Sequence, residues 1–199
     1  MNTNERIHVC QVERAGALDN SWRKLVQNPQ KILKSYIKEG MTILDMGCGP
    51  GFFSVEMAKM LNGTGKVIAA DAQKGMLDII RGKIMGTPLE QRIELYQSSF
   101  ERIGLTEKVD FILAFYMIHE VKDPKKFIKE LASILKPDGT ILIIEPKFHV
   151  SKKTFQTTVN NLTEIGFTVV DSPKVFFSRA ATLKRENPFY ISYGEETNY

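Results

Sequence analysis

The residues whose types and spacing could do chemistry gather in one stretch, Ile43-Leu44-Asp45-Met46-Gly47-Cys48-Gly49-Pro50-Gly51-Phe52-Phe53. Glycines at positions 47, 49 and 51 remove every Cβ on one side of a turn, so a ligand can lie directly on the backbone. A helix opening at Phe52 adds free N–H groups and the positive end of its dipole. Asp45 sets a carboxylate at the carboxyl end of the preceding strand, the edge where an open α/β sheet binds ligands. Asp71 supplies a second carboxylate at the end of the next strand, able to accept from two neighbouring hydroxyls; a helix N-cap is its other reading. A second set of functional side chains, Phe115-Tyr116-Met117-Ile118-His119-Glu120, follows a later apolar strand, with Glu145, Lys147 and His149 after the one beyond.

The glycine spacing separates two kinds of ligand. A dinucleotide fingerprint runs G-x-G-x-x-G. Counting from Gly47 and Gly49, the third glycine of that pattern falls on Phe52. The pattern present is D-x-G-x-G-x-G, which resembles motif I of the class I S-adenosylmethionine-dependent methyltransferases. The run Leu-Lys-Pro-Asp-Gly-Thr-Ile-Leu-Ile at 135–143 is similar to the same family. The resemblance spans residues 28–186 and implies an α/β fold: a doubly wound, mostly parallel, seven-stranded Rossmann-like sheet. It implies S-adenosyl-L-methionine as cofactor, held by Asp45, Gly47, Cys48, Gly49, Gly51, Phe52, Asp71, Ala72, Ser98, Ser99, Phe100 and Phe115. Asp71 would take the ribose hydroxyls. Many relatives place an aspartate after strand three to accept from the adenine amino group; here Ser98-Ser99-Phe100 stands instead, offering a hydroxyl or a backbone group with less charge assistance.

In this family the segment 115–120 borders the transferable methyl. The sulfonium is already a good leaving group, so positioning donor and acceptor can supply much of the catalysis. A general base is needed only if the acceptor must lose a proton. His119 is the first candidate because its ring titrates near neutrality, with Tyr116, Glu120 and Glu145 on the same rim. The competing readings are a helix-start or surface histidine for His119 and core packing for Tyr116. Lys147 and His149 could shape an acceptor pocket. No Asn/Asp-Pro-Pro-aromatic signature is present, which argues against the branches that methylate adenine and glutamine amides. About five residues join Glu145 to the helix at Ser151, where quinone-biosynthesis methyltransferases carry a long lid. The acceptor site is therefore open, completed by the N-terminal arm, or closed by a second subunit.

These residues must be carried by a recognisable order of elements. Residues 1–27 form an arm without a clean period, holding His8, Cys10, Trp22 and the flexible step Ala15-Gly16-Ala17. His8-x-Cys10 lacks the two further ligands a metal needs, so no metal is expected. Trp22 either lines a lid over the substrate, as in many relatives, or packs the arm onto the domain. Asn28-Pro29 starts a helix that should end at Gly40. Strand one, the glycine turn and a helix over 52–61 follow. Then come a loop at 62–65, a strand over 66–70, a helix over 73–84 and an alternating strand over 92–97. Residues 109–115 form a nearly unbroken apolar strand, as a central parallel strand should. Asp123-Pro124 opens a helix ending near Leu135, Lys136-Pro137-Asp138-Gly139 is a turn, and 140–145 is the fifth strand. A helix over 151–165 precedes strands over 167–170 and 175–183, which form a C-terminal antiparallel hairpin. Residues 187–199 read as a tail.

The bulk properties bound the rest. The 199 residues are 43% hydrophobic, enough for one domain with a full core. Net charge is +4 and the pI about 9.0, with cations interspersed among acids, a solvated-surface pattern that argues weakly for nucleic acid. Two cysteines without a C-x-x-C indicate a reduced, cytoplasmic protein. The polar N-terminus lacks a signal peptide's apolar core, and no run approaches a membrane span; no membrane partner is expected, and the protein should be a monomer or homodimer. The leading reading is S-adenosylmethionine-dependent methyl transfer to a small-molecule acceptor by in-line displacement (EC 2.1.1.-). The alternatives are a methyltransferase acting on RNA or protein, and a non-catalytic nucleoside-binding domain. A nicotinamide oxidoreductase is disfavoured by the glycine spacing and by the lack of a Tyr-x-x-x-Lys pair.

Overall fold

Apolar runs with β-branched residues build the centre of the molecule, a computed structural model that describes residues 26–186. Trp22, the His8-x-Cys10 pair and the tail at 187–199 lie outside the described residues. Strands β1 (Thr42–Met46), β2 (Lys66–Asp71), β3 (Ile93–Gln97), β4 (Val109–Phe115) and β5 (Leu135–Pro146) pair in parallel, and β6 (Phe167–Asp171) and β7 (Ser178–Arg185) add an antiparallel edge. The seven-stranded sheet has the order β3-β2-β1-β4-β5-β7-β6. From β1 the chain winds outward one way through β2 and β3, then returns to β4 and winds the other way. The crevice beyond the carboxyl ends of β1 and β4 is thus the switch point at which open α/β sheets bind ligands.

Both faces of the sheet are covered, which is why its central strands carry no polar face. On one face Leu44, Ile68, Ile112 and Ile141 meet helices α4 (Pro124–Ile134) and α5 (Lys152–Thr163). On the other, Ile43, Val67, Phe111 and Leu142 meet α2 (Phe52–Met60) and α3 (Lys74–Ile84). Alternate strand residues serve alternate layers, as a period of two requires. Phe111 is wholly buried, worth about 1.5–3 kcal/mol over leaving it in water. No described helix is long and apolar enough to cross a membrane.

Three element boundaries depart from expectation. Asn28 caps α1 by accepting from the Lys31 N–H (3.1 Å), but α1 covers only Pro29–Leu33 and does not continue to Gly40. Tyr36 leaves the helical path to stack on Phe111 (centroids 5.7 Å apart), with its hydroxyl against Asp171 and Thr182, each at 3.0 Å. Contacts to three distant strands outweigh one more helical turn. The Lys136–Gly139 turn is absorbed into β5 as a bulge: Val109 faces Leu135 while Phe111 faces Thr140. Lys136 Nζ there donates to both oxygens of Asp110 (2.9 and 2.8 Å), pairing the one charge of β4. Finally, β7 begins at Ser178 and not at Val175. Phe177 has φ +49, which no strand accommodates.

Candidate functional site

The glycine turn hangs on β2. The N–H groups of Gly47 and Cys48 both donate to the Ala70 carbonyl (2.9 and 3.0 Å), so the turn curls over the end of the neighbouring strand. Gly47, Gly49 and Gly51 all have positive φ (71°, 53° and 86°), the region open to glycine at little cost. Their missing side chains serve the protein more than the sequence suggests. A Cβ on Gly47 would lie 2.7 Å from Met117 Cβ, and one on Gly51 would lie 2.8 Å from Ile80 Cγ1. Besides baring the backbone, two of them let other elements close up against the turn.

Both expected carboxylates are buried here. Asp45 is 2% exposed and accepts from the Ser54 hydroxyl (2.5 Å), fastening α2 to β1. Asp71 Oδ2 accepts from the Gly49 N–H and Oδ1 from the Gln73 N–H, both at 2.9 Å. Burial pushes the Asp71 carboxyl above the usual carboxylate range, and the backbone N–H groups of Gln73, Gly49 and Ala72 pull against that rise. Each carboxylate oxygen has a second acceptor site, so Asp71 can hold the turn and still receive hydroxyls. Gln73 is the N-cap residue of α3, and Asp71 stabilises that start from two residues before it. The Cys48 thiol is raised well above its ordinary value by burial, then by the charges of Asp45 and Asp71. It forms part of the cavity wall.

The cavity above the turn is lined by Asp45, Gly47, Cys48, Gly49, Phe52, Asp71, Ala72, Ser98, Ser99, Phe100, Phe115 and Tyr116. These are the expected cofactor positions without Gly51, together with one of the two expected catalytic residues. Met46, Pro50, Phe53, Gln73, Met76, Met117, Val121 and Phe127 also contribute. Apart from Met117, which stands in the 115–120 segment, they carry no mark in the sequence, because nothing in an apolar residue's type separates a cavity wall from a core. Of the rest, Gln73 alone had a usable signal, its place directly after Asp71-Ala72. Ser98 is buried and its Oγ has no hydrogen-bond partner among the described residues. Leaving such a group unpaired costs about 1–3 kcal/mol, so a hydroxyl aimed at this cavity marks a place for a ligand's polar edge.

The other bank of the cleft is side chain. Tyr116 has φ +58, unusual for a bulky residue. Its hydroxyl lies 2.8 Å from Gln27 Nε2, which donates to it, and 2.5 Å from Ser178 Oγ. Neither partner was legible in the sequence, since they stand 89 and 62 residues away. His119 does not line the cavity. Its Nδ1 lies 2.5 Å from Glu145 Oε2, while Glu145 Oε1 accepts from the N–H groups of Ile118 (2.8 Å) and His119 (3.3 Å). Glu145 is 1% exposed. Burial lowers the His119 pKa, but the Glu145 hydrogen bond and the charges of Glu145 and Glu120 outweigh it and hold the imidazole above its ordinary value.

A run of rings in contact joins the two banks. Centroid distances are 5.1 Å for Phe52–Phe53, 4.4 Å for Phe53–Phe115 and 4.2 Å for Phe115–Tyr116. They continue at 6.5 Å for Tyr116–Phe148, 4.8 Å for Phe148–His149 and 5.9 Å for His149–His119. One aromatic ribbon therefore leads from the cavity floor to the His119–Glu145 pair.

A seven-stranded sheet with an antiparallel seventh strand, a glycine turn at its switch point and a carboxylate closing β2 together define a class I methyltransferase. Comparison with known proteins agrees. Residues 37–186 match the family model of the methyltransferase domain. A demethylmenaquinone methyltransferase of Lactobacillus johnsonii is 32% identical over 127 residues, 63% of this chain and 50% of that protein. A ubiquinone/menaquinone biosynthesis C-methyltransferase of Haemophilus ducreyi is 25% identical over 155 residues, 75% of this chain and 60% of that one. The crystal structure of an S-adenosylmethionine-dependent methyltransferase from Aquifex aeolicus superposes with a TM-score of 0.78 at 29% identity, covering 88% of this chain and 98% of that one. The chain belongs to the S-adenosylmethionine-dependent methyltransferase family, and with the family comes its cofactor, S-adenosyl-L-methionine. It spans 50–60% of the length of these two curated relatives.

Proposed function

We propose that the protein transfers a methyl group from S-adenosylmethionine to a small-molecule acceptor by in-line displacement. The observation that carries this reading is the aromatic ribbon, which runs from the cofactor cavity to a histidine held by a buried glutamate. The cofactor supplies a methyl on a sulfonium, a carbon already activated for attack. Asp71 would receive the ribose hydroxyls on its free acceptor sites, Ser98, with Ser99 and Phe100, the adenine edge. Asp45, Gly47, Cys48, Gly49, Phe52, Ala72 and Phe115 would shape the walls, and Gly51 would act through the turn. The names of the two curated relatives, both methyltransferases of quinone biosynthesis, support a small apolar acceptor.

His119 is the proposed base. With Nδ1–H donated to Glu145, Nε2 carries the lone pair that would take a proton from the acceptor. Glu145 fixes the tautomer and stabilises the imidazolium that forms, the base-and-orienter arrangement of general-base sites. Tyr116, pinned by Gln27 and Ser178, would position the acceptor and keep its ring between the two banks.

The test is transfer of tritiated methyl from S-adenosylmethionine, catalysed by the purified chain, into cell extract separated by size. Label in the organic-soluble small-molecule fraction is expected. Label in RNA or protein would replace the acceptor class. Cofactor binding without any label would make the chain a nucleoside-binding domain.

A further inference from the structure

Of the seven large hydrophobic residues exposed among the described residues, three are phenylalanines on one rim: Phe148 (69% exposed), Phe176 (57%) and Phe177 (63%). They come from two loops tied together. The Lys147 N–H donates to the Phe177 carbonyl (2.9 Å), and the Ser178 hydroxyl donates to the Phe176 carbonyl (2.9 Å). Phe177 holds φ +49, a conformation that costs a non-glycine residue energy and persists only where surrounding bonds fix it. The fold thus fixes an exposed apolar tip in place where a polar loop would be cheaper. Exposed patches of this kind mark interaction surfaces.

The chain segments that carry the rings hold charge of one sign, with exposed Asp171 immediately before the second. Segments 147–153 and 172–179 carry Lys147, Lys152, Lys153, Lys174 and Arg179 and not one Asp or Glu. All four lysines are exposed, and none is ion-paired with a described residue. Some other cations of the described surface are matched, Lys66 with Glu94 and Glu107, Lys74 and Arg81 with Asp78, while Lys122, Lys125 and Lys129 stand exposed without an ion pair to a described residue.

We propose that this rim, Phe148, Phe176 and Phe177 within a collar of Lys147, Lys152, Lys153 and Lys174, docks the enzyme peripherally on an anionic phospholipid bilayer. Protruding apolar rings enter the boundary between headgroups and acyl chains, while cations meet lipid phosphates; the two contributions together give the stable attachment that neither gives alone. A bilayer suits the geometry better than a nucleic acid strand. The Phe176 and Phe177 rings stand edge-on to each other at 63°, so they offer no parallel faces for successive bases. Phe148 also packs edge-on against Tyr116, which turns the mouth of the cleft toward the membrane. The docking does not depend on which acceptor is methylated.

The full-length protein is to be sedimented with vesicles of phosphatidylcholine alone and of phosphatidylcholine with phosphatidylglycerol in equal parts. Binding to the mixed vesicles should exceed binding to the neutral ones at least about tenfold and fall steeply between about 0.1 and 0.5 M salt. Phe176→Ser with Phe177→Ser, and separately Lys147→Glu with Lys174→Glu, should each abolish it. Their melting temperatures and cofactor affinities serve as controls for folding. The proposal is overturned by no preference for the mixed vesicles, by variants that sediment as the parent does, or by tighter binding to single-stranded RNA than to vesicles. It is equally overturned if the parent is a dimer that these substitutions dissociate, since the rim would then be covered by a second copy.

Discussion

At the ends of β1 and β2 the cleft is made of backbone. Glycines, a strand carbonyl and two buried carboxylates form it, and the chain needs only 27 residues, from Asp45 to Asp71, to do so. At the ends of β4 and β5 it is made of side chains. Gln27, Tyr116, Glu145, Phe148 and Ser178 converge there from four separate stretches, and Tyr116 and Phe177 sit in strained backbone. The first bank suits a cofactor that never varies. Under the proposed function the second would meet the acceptor, and its side chains can be exchanged without disturbing the sheet. The difference is a division of labour: residues near one another in sequence build one bank, and tertiary contact builds the other.

The comparison would break if damage to the second bank weakened cofactor binding. His119→Ala should lower kcat by about 10²–10⁴-fold, the usual worth of a general base, while cofactor affinity by calorimetry stays unchanged. An equal loss of cofactor affinity would merge the two banks. Gly47→Ala should do the reverse. Its Cβ would press on Met117 Cβ at 2.7 Å from a backbone at φ +71; overpacking and left-handed strain together predict a loss of about 2–4 kcal/mol in denaturant unfolding, with weakened cofactor binding.

Smaller effects sharpen the picture. Asp71→Ala should weaken cofactor binding by about 1–3 kcal/mol if Asp71 receives ribose hydroxyls; unchanged affinity would leave it only its bonds to Gly49 and Gln73. Ser98→Ala removes a hydroxyl with no partner among the described residues, so stability should hold or rise slightly while cofactor affinity falls by about 0.5–1.5 kcal/mol. The smallest effect is the pH dependence of the His119–Glu145 pair. The folded imidazole binds its proton more tightly than the unfolded one, so the pair's stabilisation is complete below the unfolded value and fades as pH rises through the folded one. Melting temperatures across about pH 5.5–8.5 should show a fall for the parent that Glu145→Gln flattens. The rate should move oppositely, rising as His119 loses its proton.

Reading the chain alone recovers the first bank almost in full. Glycine identity, aspartate placement and strand periodicity are local signals, and local signals survive in a sequence. It also recovers the sheet, because strands buried on both faces must be apolar throughout and the terminal hairpin shows as two strand-like runs joined by Asp171-Ser172-Pro173. The errors fall where distant contacts decide. Tyr36 ends α1 early to reach Phe111, and Phe177 delays β7.

What this sequence determines by itself is the family, the cofactor and the turn that defines them, since those rest on conformations only certain residues can adopt within a few positions of each other. What only the tertiary structure decided is who meets whom across the cleft. His119 belongs to Glu145, Tyr116 belongs to Gln27 and Ser178, and the Ser98 hydroxyl has no partner among the described residues. Such pairings depend on how the strands order themselves in space, and no spacing along the chain encodes a distance between residues that the fold alone brings together.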